Sequence, residues 1–96
     1  MTTRFRVLAS PRFERLFRKL AKRHPDLVGV YDSALSILQI DPHNVSRTYP
    51  IRKLEGVTTQ EGTHRLRLGR WRFVYTIAGE DVVLRYCGLR REDTYD

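Results

Sequence analysis

Cysteine is almost missing from this chain. Cys87 stands alone among 96 residues, which excludes an intrachain disulfide and a cysteine-based metal site. The three histidines, His24, His43 and His64, have no metal-ligand spacing with one another, so the sequence calls for no metal and no cofactor. No apolar run is long enough to span a bilayer, and the first residues lack the apolar core of a signal peptide, so the expected location is the cytoplasm, away from a membrane. Repeats, linkers and low-complexity tails are absent too, and 96 residues leave room for one core. The expectation is a single domain over residues 1–96. Acidic residues are scarce in relative terms: 11 Asp and Glu face 18 Lys and Arg, for a net charge of +7 and a pI near 10.2. Most of that positive charge is arginine, which is permanently charged and pairs well with phosphate, so a polyanionic partner is expected.

What is present reads as an α+β chain. Phe5 and Val7 alternate with Arg4 and Arg6, the period of a short strand ending near Ala9. Ser10-Pro11 starts a helix, serine as cap and proline at the first turn, where its missing N–H is not needed. Phe13, Leu16, Phe17 and Leu20 form its apolar stripe, and Arg12, Arg15, Arg18, Lys19, Lys22 and Arg23 its solvated, polyanion-steering face. Pro25 interrupts it near His24, and Asp26 is positioned to cap a second helix running to about Gln39. The two form a hairpin that covers one sheet face. Asp41-Pro42-His43-Asn44 opens a loop to Pro50, in which His43 reads as an exposed residue. Ile51-Arg52-Lys53-Leu54 then leads into Glu55-Gly56, and Arg52 and Lys53 either touch a phosphate backbone or serve solubility at a loop edge.

The stretch Thr63 to Arg72, Thr-His-Arg-Leu-Arg-Leu-Gly-Arg-Trp-Arg, is the most informative. On a strand, Arg65 and Arg67 project from one face and Leu66 and Leu68 from the other. After a turn at Gly69-Arg70, a strand from Trp71 to Ile77 sets Arg72 opposite Trp71, Phe73 and Tyr75, which belong to the sheet–helix core. His64 falls on the face away from Arg65 and Arg67. A further strand, Val82 to Cys87, follows the turn at Ala78-Gly79-Glu80-Asp81. Strict alternation puts Arg85 with Val83 and Cys87, opposite Val82, Leu84 and Tyr86. Arg85 is then either half of a structural ion pair or the floor of a basic groove.

The order of these segments, Lys53-Leu54-Glu55-Gly56, then His64 through Tyr75, then Gly88-Leu89-Arg90-Arg91-Glu92-Asp93-Thr94-Tyr95, resembles the RelE/ParE superfamily of bacterial toxin–antitoxin toxins. The resemblance spans nearly the whole chain. It implies a small antiparallel sheet packed against an N-terminal helical hairpin, with the open sheet face as the functional surface. In RelE-like members that face cleaves messenger RNA in the ribosomal A site. Carried onto this sequence, the catalytic set is Arg65, Arg72, Arg90 and Tyr95, and the substrate-binding set is Arg67, Arg85, Arg52 and Lys53.

The implied chemistry joins the ribose 2′-oxygen to the adjacent phosphorus and releases the 5′-oxygen, leaving a cyclic phosphate and a 5′-hydroxyl. Arg65, Arg72 and Arg90 neutralise the developing charge, Arg67 positions the backbone, and Tyr95 supplies a hydroxyl. Arginine itself does not deprotonate, so it leaves the proton acceptor and donor unassigned. Leu89 stands where some members carry a titratable residue. The same resemblance covers the ParE-like poisons of DNA gyrase and divergent binding proteins on the same fold. Expected partners are a protein antitoxin together with ribosome and message, or alternatively gyrase.

Overall fold

The computed structural model describes residues 4–56 and 61–89. The elements run β1 (Arg6–Ala9), α1 (Pro11–Arg23), α2 (Asp26–Ile40), β2 (Ile51–Lys53), β3 (His64–Leu68), β4 (Trp71–Ala78) and β5 (Asp81–Leu89). The strands form one five-stranded sheet in the order β1-β5-β4-β3-β2. Strands β2 to β5 are an antiparallel meander, and β1 joins its far edge parallel to β5, with Val7 beside Val82 and Ala9 beside Leu84. The helical hairpin carries the chain from β1 at one edge of the sheet to β2 at the other, and the meander returns to set β5 beside β1.

Local chemistry explains the boundaries. The Ser10 hydroxyl accepts the Phe13 N–H at 3.1 Å, and Pro11 occupies the first turn of α1. Asp26 does not cap α2: Pro25 holds the cap position with no side-chain bond. The Asp26 carboxylate instead accepts the Trp71 indole N–H at 3.0 Å and an Arg70 N–H at 2.9 Å, tying the helix junction to the β3–β4 turn. Those bonds hold the Asp26 carboxyl below its ordinary range, the Trp71 bond contributing most. At that turn Gly69 takes φ +60°, as a two-residue hairpin loop requires.

The hairpin packs on the face that carries Leu66, Trp71, Phe73, Tyr75, Val82, Leu84 and Cys87, all buried, and contributes Phe13, Leu27, Ala34 and Leu38. An aromatic chain runs through this interface: Phe17 to Tyr31 at 4.7 Å, Phe13 to Tyr31 at 5.7 Å and Tyr31 to Phe73 at 6.3 Å between centroids. Each large side chain so buried stabilises the fold by about 1.5–3 kcal/mol. The expected division of faces is therefore present: aromatic residues of β4 toward the helices, arginines away.

Ile51–Lys53 is a strand, an element the sequence did not mark. Its placement comes from the preceding loop, which is built from side chains. Asp41 accepts from Val45 N, Ser46 N and Ser46 Oγ at 2.8, 3.1 and 2.7 Å, and the Asn44 amide brackets the Tyr49 backbone at 2.9 and 3.1 Å. The loop delivers the Pro50 carbonyl to the Arg67 N–H at 3.1 Å, which sets β2 against β3.

Candidate functional site

The register assembles the open face row by row. Arg52 pairs with Arg65, Arg65 with Val74, and Val74 with Tyr86; in the next row Arg67 pairs with Arg72, and Arg72 with Gly88. Two arginine pairs thus stand directly opposite one another on adjacent strands. Like charges directly opposite one another do not favour a sheet, so this register is not explained by strand pairing alone. The Nε atoms of Arg65, Arg72 and Arg85 are buried, so their stems are sunk in the surface. Pro50, Ile51, Arg52, Arg65 and Arg67 line an open cavity of about 150 Å³ at one end of this face. Arg6, which pairs with Asp81 at 3.0 Å, and Arg70, which pairs with Asp26 at 2.9 Å, belong to structural contacts outside these rows.

One irregularity changes the far side of the face. Between the Val74–Tyr86 and Tyr75–Leu84 pairs, β5 carries one residue more than β4, and Arg85 is that extra residue. Alternation is reset there. Cys87 enters the core opposite Phe73, and Tyr86 turns to the arginine face, the reverse of the expected assignment. Gly88 makes room for it, because a Cβ there would stand 2.5 Å from the Tyr86 hydroxyl oxygen. Arg12, from the first turn of α1, lies over the Tyr86 ring with its guanidinium carbon 5.5 Å from the centroid. Neither Tyr86 nor Arg12 was singled out as a site residue from the sequence. The Tyr-x-Gly spacing hints at such a ring, but the bulge that turns it over is not readable from composition or period.

The other sequence-selected residues separate cleanly. Arg52, Arg65, Arg67 and Arg72 share the open face, whereas Lys53 pairs with His64 and sits on the helix-side rows at the sheet edge. His64 is away from the arginines as expected: its ring stacks on Tyr75 at 5.5 Å, and Thr63 Oγ1 lies 2.9 Å from its Nδ1. Burial, then His43 and Lys53, hold its pKa below the ordinary 6.5. Burial pushes the Cys87 thiol up to about 12, which leaves it unreactive inside the core. Arg90 and Tyr95 lie outside the described residues. Among the described residues, no group of three His, Cys, Asp or Glu is placed to hold a metal ion.

A two-helix hairpin on one face of a small, mainly antiparallel sheet is the RelE/ParE-like toxin fold. The toxin–antitoxin complex RelBE2 from Mycobacterium tuberculosis contains a chain with TM-score 0.70 and 24% identity, over 94% of this chain and 95% of that one. YafQ from E. coli superposes with TM-score 0.62 at 18% identity, over 90% and 93% of the two chains. The RelB–RelE antitoxin–toxin complex from Methanococcus jannaschii gives TM-score 0.51 at 16% identity, over 88% and 92%. No family model matches the chain, and no curated protein is similar to it in sequence. The likeness is therefore one of fold, shared along nearly the full length of each chain.

Proposed function

We propose that this chain is the toxin half of a toxin–antitoxin pair and that its arginine face binds and cleaves messenger RNA on the ribosome. The observation that carries this reading is the two pairs of directly opposed arginines, Arg52 with Arg65 and Arg67 with Arg72, on an open sheet face. A phosphodiester backbone supplies repeated negative charge that matches this row of guanidinium groups. The fold shared with chains of two toxin–antitoxin complexes supports the toxin role and an antitoxin partner.

In this reading Arg52 and Arg67 hold the backbone, and Arg65 and Arg72 flank the reacting phosphate. The 2′-hydroxyl gives up its proton as its oxygen bonds to phosphorus; the bond from phosphorus to the 5′-oxygen breaks, and that oxygen takes a proton. Charge accumulates on the equatorial oxygens between the two events, where fixed guanidinium groups stabilise it most. Arg90 adds to that stabilisation, water takes the 2′ proton and Tyr95 supplies a hydroxyl that hydrogen-bonds the substrate, while Arg85 lends charge from the bulge. Lys53, on the other face, has no part in it. The ribosome orients the message, so the protein works in the cytoplasm, and an antitoxin with an acidic segment silences it by covering the face.

The test is to add purified protein to a translating system and map the RNA ends, with an Arg65→Ala, Arg72→Ala, Arg90→Ala triple variant as control. Codon-positioned breaks with cyclic phosphate and 5′-hydroxyl ends, absent with the variant, are expected. Intact messages at high protein concentration overturn the reading. Gyrase-linked DNA breaks without message cleavage assign the arginine face to gyrase binding instead.

A further inference from the structure

The reaction needs a group that releases a proton to the departing oxygen, and guanidinium groups do not deprotonate at neutral pH. Three independent features of the structure place one hydroxyl among the arginines. The bulge at Arg85 turns Tyr86 onto the open face, opposite Val74 and in the row of Arg52 and Arg65. Gly88 lets the ring lie flat along β5, since a Cβ there would be 2.5 Å from the hydroxyl oxygen and 3.0 Å from the ring carbon bearing it. Gly88 is the ladder partner of Arg72, so the hydroxyl stands over the strand position directly across from that arginine. Arg12 then sets a second cation over the ring.

We infer that Tyr86 is the proton donor to the leaving 5′-oxygen, an inference that rests on the RNA-cleavage reading. As the bond from phosphorus to the 5′-oxygen breaks, its electron pair stays on that oxygen. The Tyr86 hydroxyl proton moves to it and completes the 5′-hydroxyl. The phenolate left behind is stabilised by the positive charge of Arg72 and Arg12, and water returns its proton after the product leaves. The 2′ proton departs separately, to water. A phenol hydroxyl can donate a hydrogen bond and a proton, which a guanidinium does not release.

Tyr86→Phe keeps the ring, its contact with Arg12 and its place over Gly88, and removes only the proton. Wild type and variant are compared on ribosome-bound messages carrying either the natural 5′-oxygen or a bridging 5′-sulfur at the scissile linkage. A thiolate leaves without protonation. The variant is expected to lose about 100-fold in kcat on the oxygen message, with KM little changed, and to return to within about threefold of wild type on the sulfur message. Equal slowing on both messages overturns the donor role, as does wild-type speed on the oxygen message. Either result, with the wild type active, leaves the RNA reading standing. A wild type that cleaves neither message overturns both.

Discussion

Replacing Gly62 by alanine perturbs the arginine face at its centre, where Gly62 lies against the Val74 side chain. Gly62 is buried and adopts φ +107°, a region that L side chains rarely enter. A Cβ there would lie well inside van der Waals contact of Val74 Cγ1 and 3.5 Å from the Tyr75 nitrogen. Val74 is the residue between Arg65 and Tyr86 in the cross-strand row, so the loop presses on the centre of the site. Backbone strain contributes about 1–2 kcal/mol and overpacking about 1–3 kcal/mol, so Gly62→Ala loses about 2–5 kcal/mol in sum. For a domain of this size each kcal/mol moves Tm by about 4–8 °C, which predicts a fall of roughly 8–40 °C in thermal melting. The Val74→Ala background removes the struck atom but not the strain. The double variant is therefore expected to be more stable than the sum of the single effects implies, with a coupling of about 1 kcal/mol or more. A Gly62→Ala protein melting within about 2 °C of wild type refutes both the strain and the contact.

Other contacts give equally direct outcomes. Asp26, held below its ordinary pKa by Trp71 and then Arg70, contributes stability above its unfolded pKa that is lost as pH falls through the folded value. Asp26→Asn is expected to lower Tm at neutral pH and to flatten the acid end of the Tm profile. His64 has the opposite charge type. Its depressed pKa means the unfolded chain binds more protons below 6.5, so stability falls as pH drops from 6.5 toward the folded value. In His64→Gln the slope of Tm between about pH 7 and 5 is expected to shrink. Tyr75→Phe deletes a buried hydroxyl that donates to the Pro42 carbonyl at 2.7 Å. Denaturant titration should show a loss of about 1–2 kcal/mol, because that carbonyl loses its donor.

Much of this architecture was legible in the chain because local signals agreed with the tertiary outcome. Ser10-Pro11 and the stripe Phe13, Leu16, Phe17 and Leu20 mark α1, and the alternation of Arg65 and Arg67 with Leu66 survives intact, as does that of Arg72 with Phe73. The misses have physical causes. Ile51–Lys53 is too short for a periodic signal, and its strand pairing depends on the hydrogen-bonded loop before it. Asp26 looks like a cap, but the Trp71 indole and Arg70 compete for its carboxylate. Tyr86 and Cys87 exchange faces because a bulge breaks the period of two, and no residue in Leu84-Arg85-Tyr86-Cys87 announces it. The parallel edge at β1 is likewise a consequence of how the hairpin crosses over, set by packing that spans the whole chain.

The central claim is that the arrangement of arginines on the open face, beyond the net charge of the protein, carries the activity. Message cleavage in a translating system is to be compared for two variants that lose the same number of positive charges. One converts Arg52, Arg65, Arg67 and Arg72 to glutamine; the other converts Arg15, Arg18, Lys19 and Lys22 on α1 to glutamine. The face variant is expected to lose cleavage by at least about 100-fold, while the helix variant stays within about tenfold of wild type. Equal losses in the two folded variants would contradict the account.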